Sequence, residues 1–221
     1  MHEVTGSVLH YDMETRRLIL ELEEDITRTL EQQESSQVAL RIIDGREISQ
    51  KQRGKIFGIT RDIARHFGYF YSFEWEEVRG ALMEEFSVKE GITPFSLSDC
   101  EKSVARDLIS YRIDFCMRWD VPTSKPLRRY SDDFGKYLYL CLEHRQCAQC
   151  RRSAQVHHVK AIGMGRNRDE VIHEGMPCIA LCAECHTKAH ASGWETFSKQ
   201  YHLEGIELDR YLCGKLGLRY R

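Results

Sequence analysis

The sequence predicts an α+β protein with a small N-terminal β region, a central helical segment and a C-terminal module clamped by cysteines. Three observations predict it. Apolar residues alternate within the first 45 positions, they recur every three or four positions from Ser49 to Trp119, and two C-x-x-C pairs frame the stretch from Cys147 to Cys185. At 221 residues the chain has room for one large domain or two to three small ones.

The strand reading starts at Val8 to Tyr11. A polar Asp12-Met13-Glu14-Thr15 turn follows, and Leu18, Leu20 and Leu22 complete a hairpin. A third strand is expected over Val38 to Ile43, closed by Asp44-Gly45. Ile56, Ile59, Ile63 and Phe67 then mark a helix that Gly68 can stop. Trp75, Val78, Leu82 and Phe86 mark a second helix, running from Ser72 to near Gly91. Ser98-Asp99-Cys100-Glu101 reads as a capping box for a third, whose face continues through Val104, Leu108, Tyr111, Phe115 and Trp119 before Pro122. Pro122 and Pro126 suggest a linker into a shorter helix from Ser131 to Glu143. The expected divisions are therefore 1–45, 46–122, 123–139 and 140–221, with the main boundary near 122–129.

The formal net charge is −2, which excludes a uniformly basic nucleic-acid coat. No run of 18 apolar residues is present, so no membrane span or membrane partner is expected. The N-terminus lacks the pattern of an export signal, and a cytoplasmic location is expected. The charge is uneven, however. Residues 1–45 carry ten acids and four bases, whereas 126–168 carry nine bases and three acids, a local net of +6. Seven of the nine cysteines and seven of the ten histidines lie from position 141 onward, so the chemistry belongs to the C-terminal third.

There, Cys147-Ala-Gln-Cys150 and Cys182-Ala-Glu-Cys185 have the spacing of a closed tetrahedral zinc site, each pair giving two thiolates from one tight turn. In a reducing compartment the pattern favours metal over disulfide, with a redox switch as the competing reading. Between the pairs lies His157-His158 on an expected short strand, and His186 and His190 follow one turn apart on an expected helix. Alternation sends His157 and His158 to opposite sides, so that one can face a metal and the other a substrate. One of these two, with His186 and His190, thus makes a candidate second metal site with positions left open for water and phosphate. Arg166 and Arg168 in a glycine-flanked loop, with Arg151, Arg152 and Lys160, are candidate DNA contacts, against the plainer reading of a solvated turn for the first two. The run Tyr69-Phe70-Tyr71-Ser72-Phe73 beside Arg61 and Arg65 either stacks single-stranded bases or serves as a core turn, the second being favoured.

These motifs resemble the HNH nucleases of the ββα-metal type, whose C-x-x-C, paired strand residues and L-C-x-x-C-H match Cys147 to Cys150, His157-His158 and Leu181 to His186. Val156 to Arg168, His173, Gly193 to Phe197 and Tyr201 to Ile206 are similar, more closely, to HNH nucleases of tailed phages that infect Gram-positive bacteria. The resemblance covers about residues 140–217. It implies a metal-dependent endonuclease hydrolysing DNA phosphodiester bonds, with His158 as general base. It further implies that His157, His186 and His190 hold a catalytic Mg²⁺ or Mn²⁺ and that the four cysteines hold a structural Zn²⁺. The Asn expected before Cys182 falls on Pro177, and Asn167 or His173 is the candidate to orient His158 instead.

A second resemblance, over Gln52 to Arg65, Trp75 and Phe95 to Cys100, is to the lambdoid phage Orf and NinB recombination mediators. It implies single-stranded or branched DNA, a host single-strand-binding protein as partner, and a homodimer. It also supplies the competing function: a non-catalytic single-stranded-DNA-binding recombination mediator whose zinc-stabilised C-terminus only docks.

Overall fold

The computed structural model describes residues 4–32, 38, 40, 46–160 and 171–221. They divide into two compact units, Met1–Ile43 and Asp44–Arg221. In the first, β1 (Gly6–Asp12) pairs antiparallel with β2 (Arg17–Leu22), matching the expected hairpin. Asp12 forms its turn by accepting hydrogen bonds from the Glu14 and Thr15 amides at 2.9 and 3.2 Å. A short helix, α1 (Thr27–Gln32), follows. The strand expected at Val38 to Ile43 lies outside the described residues, apart from Val38 and Leu40, which are exposed.

The second unit opens with α2 (Gln50–His66), α3 (Ser72–Glu90) and α4 (Lys102–Arg118), and α2 packs on both of the others. Ser49 caps α2 reciprocally: its hydroxyl accepts from the Gln52 amide at 3.2 Å and the Gln52 side chain accepts from the Ser49 amide at 3.0 Å. Of the expected apolar face, Ile56, Ile59 and Ile63 are buried, the first two at 0% exposure, whereas Phe67 just past the helix end is exposed. Each such isoleucine stabilises the fold by roughly 1.5–3 kcal/mol. Gly91 ends α3 in the left-handed conformation at φ 65°.

The capping box expected at Ser98 to Glu101 does not form. Instead α4 starts at Lys102 with Glu101 as its N-cap. The reason is a short ladder: the Ile48 amide donates to the Cys100 carbonyl and the Lys102 amide to the Arg46 carbonyl, at 2.8 and 2.7 Å, so this backbone is spent on pairing rather than on helix. The aromatic turn after α2 also departs from the favoured reading, because Phe70, Tyr71 and Phe73 are exposed rather than in the core.

No break in the core falls at 122–129. One continuous apolar cluster runs from Ile48 to Leu216, and Leu127 and Tyr130 of α5 (Leu127–Tyr130) are buried in it. The helix expected from Ser131 begins later, as α6 (Phe134–Glu143), because Asp133 caps it by accepting from the Lys136 amide at 2.8 Å. The sheet that follows comprises β3 (Gln155–His158), β4 (Pro177–Leu181) and β5 (Ile206–Glu207), antiparallel in that order. Between β4 and β5 lie α7 (Ala183–Ser192) and α8 (Trp194–Tyr201), and α9 (Arg210–Leu216) closes the unit against α6.

Two charged groups tie α4 into this frame. Arg112 is fully buried and donates to the Ile56 carbonyl at 2.9 Å and to the Thr60 hydroxyl, linking α4 to α2. Burial, with Arg79 nearby, pushes its guanidinium down to about 9, still above neutrality. Asp114 is buried and accepts from His144 Nε2 at 2.6 Å and Arg118 Nη2 at 2.7 Å. Burial opposes its ionisation, but these partners and Lys89 hold the carboxyl below its ordinary value. A depressed carboxylate stabilises the fold above its unfolded pKa and loses that contribution as pH falls through the folded one. Asp114→Asn should therefore cost roughly 1.5–3 kcal/mol at neutral pH. Paired denaturant titrations should show the difference shrinking as the medium is acidified below the carboxylate range; a cost independent of pH would contradict this.

Candidate functional site

The first cysteine pair sits in a tight turn after α6. The Arg151 amide donates to the Cys147 carbonyl and the Cys147 amide to the Arg152 carbonyl, both at 2.8 Å, with Arg151 left-handed at φ 63°. The second pair opens α7, with Cys182 as its N-cap. Because β4 pairs with β3, the two turns meet: the Ala148 amide donates to the Ala180 carbonyl at 3.0 Å. The sulfurs of Cys147, Cys150, Cys182 and Cys185 all lie within 4.8 Å of one another, and those of Cys150 and Cys182 are 3.5 Å apart. Zn–S bonds of about 2.3 Å require tetrahedral edges of about 3.8 Å, so the four thiols fit a zinc ion.

Their electrostatics agree with that fit. Burial pushes the Cys147 and Cys185 thiols up. Burial also resists ionisation of Cys150, yet hydrogen bonds led by that from Arg152 bring it down to about 7. A cation at the centre is what would let all four ionise together.

Arg151 and Arg152, expected as DNA contacts, are placed otherwise. Arg151 donates to the Gln146 side chain and to the carbonyls of Val121 and Cys116, at 3.2, 3.0 and 3.2 Å, capping the C-terminal end of α4. Arg152 makes a fork with the Glu184 carboxylate at 2.5 and 2.7 Å, bridging the two cysteine turns across the surface. Lys160 is exposed beyond β3, while Asn167, Arg166 and Arg168 lie outside the described residues.

The histidines take up the faces that strand alternation assigned. His157 is buried and opposes Ile179, while its half-buried neighbour His158 opposes Cys178 and points the other way. Donor nitrogens of His157, His186 and His190 lie within 4.8 Å of one another, with ring centroids 4.7 to 5.1 Å apart. The Nε2 of His157 is buried and meets no hydrogen-bond partner among the described residues. Burial first, then His186, His190 and His158, pushes His157 down to about 4, and burial with His190 lowers His186. Imidazole nitrogens gathered this closely are a donor set that a divalent ion can use.

On the other face, His158 Nε2 and His173 Nδ1 are 2.9 Å apart. His173 is buried, which lowers its pKa, and its amide is fixed to the Arg219 carbonyl at 2.8 Å. Of the two residues expected to orient His158, the structure brings His173 to it. Pro177 starts β4, and its carbonyl accepts from the Val159 amide at 3.0 Å.

Sequence reasoning missed four features. Trp194 lies against His157, with centroids 5.3 Å apart. The Arg152–Glu184 bridge joins positions 32 apart, and Arg151 carries a strut; neither has a local sequence signal. A third group of possible ligands, Asp114, Glu143 and His144, is also present. Its central Asp114 already pairs with Arg118 and His144, and only the i,i+4 pair with Arg118 could have been read from spacing.

Fold and site together define a mixed α/β protein that brings a cysteine cluster and a histidine cluster beside one small sheet and the helix after it. A family model described as "Putative HNHc nuclease" matches residues 19–218, and the chain belongs to that family. No curated protein and no solved structure matches it. HNH nucleases use metal ions and act on DNA, consistent with both clusters.

The zinc fit gives a direct test. Cys182→Ser should abolish zinc retention as read by elemental analysis and lower the melting temperature, because a structural zinc contributes on the order of 10 kcal/mol. Unchanged stability after complete zinc removal would contradict a structural role.

Proposed function

We propose that the chain is a divalent-metal-dependent endonuclease that hydrolyses DNA phosphodiester bonds, with 140–221 acting as a ββα-metal module. The observation that carries this reading is the buried Nε2 of His157, without a hydrogen-bond partner among the described residues, on a ring clustered with His186 and His190 and one residue from a histidine held by hydrogen bonding on the opposite face. Bound there, the ion would polarise the scissile phosphate and stabilise the leaving 3′ oxygen, a contribution of about several kcal/mol.

The chain's own residues supply the proton chemistry. For His158 to take a proton from water at Nδ1, its Nε2 must carry hydrogen and donate to His173 Nδ1, which fixes the His173 proton on Nε2. Burial keeps His173 neutral and able to accept. As His158 becomes cationic, that hydrogen bond becomes charge-assisted and strengthens. His173 thus takes the positioning role expected of the missing Asn, which weakens the main argument for a non-catalytic docking module. An all-imidazole donor set suits a transition ion better than Mg²⁺, which prefers carboxylate and water, so Mn²⁺ is the better fit of the two. Cys147, Cys150, Cys182 and Cys185 would hold the structural Zn²⁺. A role in phage DNA recombination or processing, on single-stranded or branched DNA beside a host single-strand-binding protein, extends the proposal through the N-terminal resemblance.

A cleavage panel of linear, single-stranded and branched DNA tests it. Mn²⁺ should support faster cutting than Mg²⁺, and His158→Ala should slow cutting by about 10² to 10⁴ fold with zinc content intact. DNA retained in a gel shift but uncut in every metal would overturn the reading. His173→Ala should lower kcat with little change in KM, and His173→Gln, which restores an acceptor, should recover part of it. Equal loss in both variants would make His173 merely structural.

A further inference from the structure

The turn between α2 and α3 carries aromatic rings that the fold does not use. Phe70, Tyr71 and Phe73 are 68, 67 and 65% exposed, and the Tyr71 and Phe73 rings are stacked nearly parallel, 5.8 Å apart at 11°. Large exposed rings on a soluble protein mark a contact surface. This turn is held in place: the Glu74 carboxylate accepts from the amides of Phe70 and Tyr71, both at 2.8 Å, and Trp75 Nε1 donates to the Tyr69 carbonyl at 3.1 Å. Ser72, between the stacked rings, also lines a cleft of about 340 Å³ walled by Phe57, Thr60, Arg61, Trp75 and Glu76.

Two arginines favour an anionic occupant, with the Glu74 carboxylate taken up by the backbone amides of the turn. Arg61 lines the cleft, Arg65 stands over the Trp75 ring at 5.5 Å, and neither has an ion-pair partner among the described residues. Glu76, the carboxylate in the cleft, is neutralised by Arg79. Flat apolar rings on a hydrogen-bonded turn, beside guanidiniums with no ion-pair partner among the described residues, match the two faces of an unpaired DNA strand, bases on one side and phosphates on the other. A duplex keeps its base faces stacked inside and could use only the arginines.

We infer that this turn and cleft bind an unpaired DNA strand, so that the proposed nuclease engages substrates with single-stranded stretches through a site of its own, separate from the histidine cluster. The inference deepens the proposed function by assigning single-strand recognition to a particular surface, and it rests on that reading for DNA as the ligand.

Fluorescence anisotropy on the full zinc-loaded chain, with no added divalent ion, tests it using a labelled oligothymidylate and a duplex oligonucleotide. Losing one stacked base costs about 5- to 150-fold in affinity. Tyr71→Ala with Phe73→Ala should therefore weaken oligothymidylate binding at least about tenfold while duplex binding changes little. Tyr71→Phe with Phe73→Tyr should keep it. Arg61→Ala and Arg65→Ala should each reduce the salt dependence of strand binding by about one phosphate contact. Because these side chains are exposed, an unchanged melting temperature confirms that each variant is folded.

The inference is overturned if the double alanine variant binds oligothymidylate as tightly as the parent, if both DNAs weaken alike, or if the ring substitutions alter only self-association of the chain. Ring-dependent strand binding by a chain that cuts no DNA in any metal would instead remove the nuclease reading and leave this site standing.

Discussion

The convergence of four sulfurs from two distant turns is the constraint on which the C-terminal architecture rests. Cys147 and Cys150 follow α6, Cys182 and Cys185 open α7, and everything between them, including β3 and β4, is enclosed by the clamp. The sheet is short, with four residues in β3, five in β4 and two in β5, and it draws its stability from packing on α6, to which a metal at the clamp would add. Burial also makes ionisation of the Cys147 and Cys185 thiols unfavourable, a cost that a cation held at the clamp would offset.

The helical core holds the clamp from below through polar ties rather than through apolar area alone. The Tyr137 hydroxyl donates to the Ala148 carbonyl at 2.9 Å, Arg128 donates to the Gln149 side chain at 2.6 Å, and Gln146 and Arg151 reach the end of α4. With the clamp fixed, β3 has one register, and that register sorts its two histidines. His157 faces inward to His186 and His190 on α7, whose position is set by Cys182 and Cys185; His158 faces outward to His173. A one-residue slip of β3 would exchange the two roles, which is why the strand is pinned at both ends.

What could be read in the sequence follows from how local the determining interaction is. The hairpin, α2 and α3, and the metal-ligand spacing depend on neighbours within a few positions, and each was legible from alternation, helical steps or C-x-x-C. The start of α4 was not, because the ladder from Ile48 and Arg46 to residues about 50 positions away overrides the local capping signal. Arg151 and Arg152 looked like part of a basic surface, since charge counting cannot tell a strut from a free cation; their partners lie at Val121 and Glu184. Conversely, the alternation of His157 and His158 was enough to assign opposite faces, but which residue would meet His158 depended on a chain reversal after Val171 that no short motif encodes.

The central claim is that the buried Nε2 of His157 is a metal ligand kept apart from the cysteine clamp. The most direct measurement is anomalous diffraction from crystals of the full chain grown with Mn²⁺, recorded at the manganese and zinc edges. The account predicts a zinc peak equidistant from the four sulfurs and a separate manganese peak about 2 Å from His157 Nε2, with His186 and His190 as the other protein ligands. A zinc peak at the cysteines with no anomalous density at the three imidazoles would contradict it.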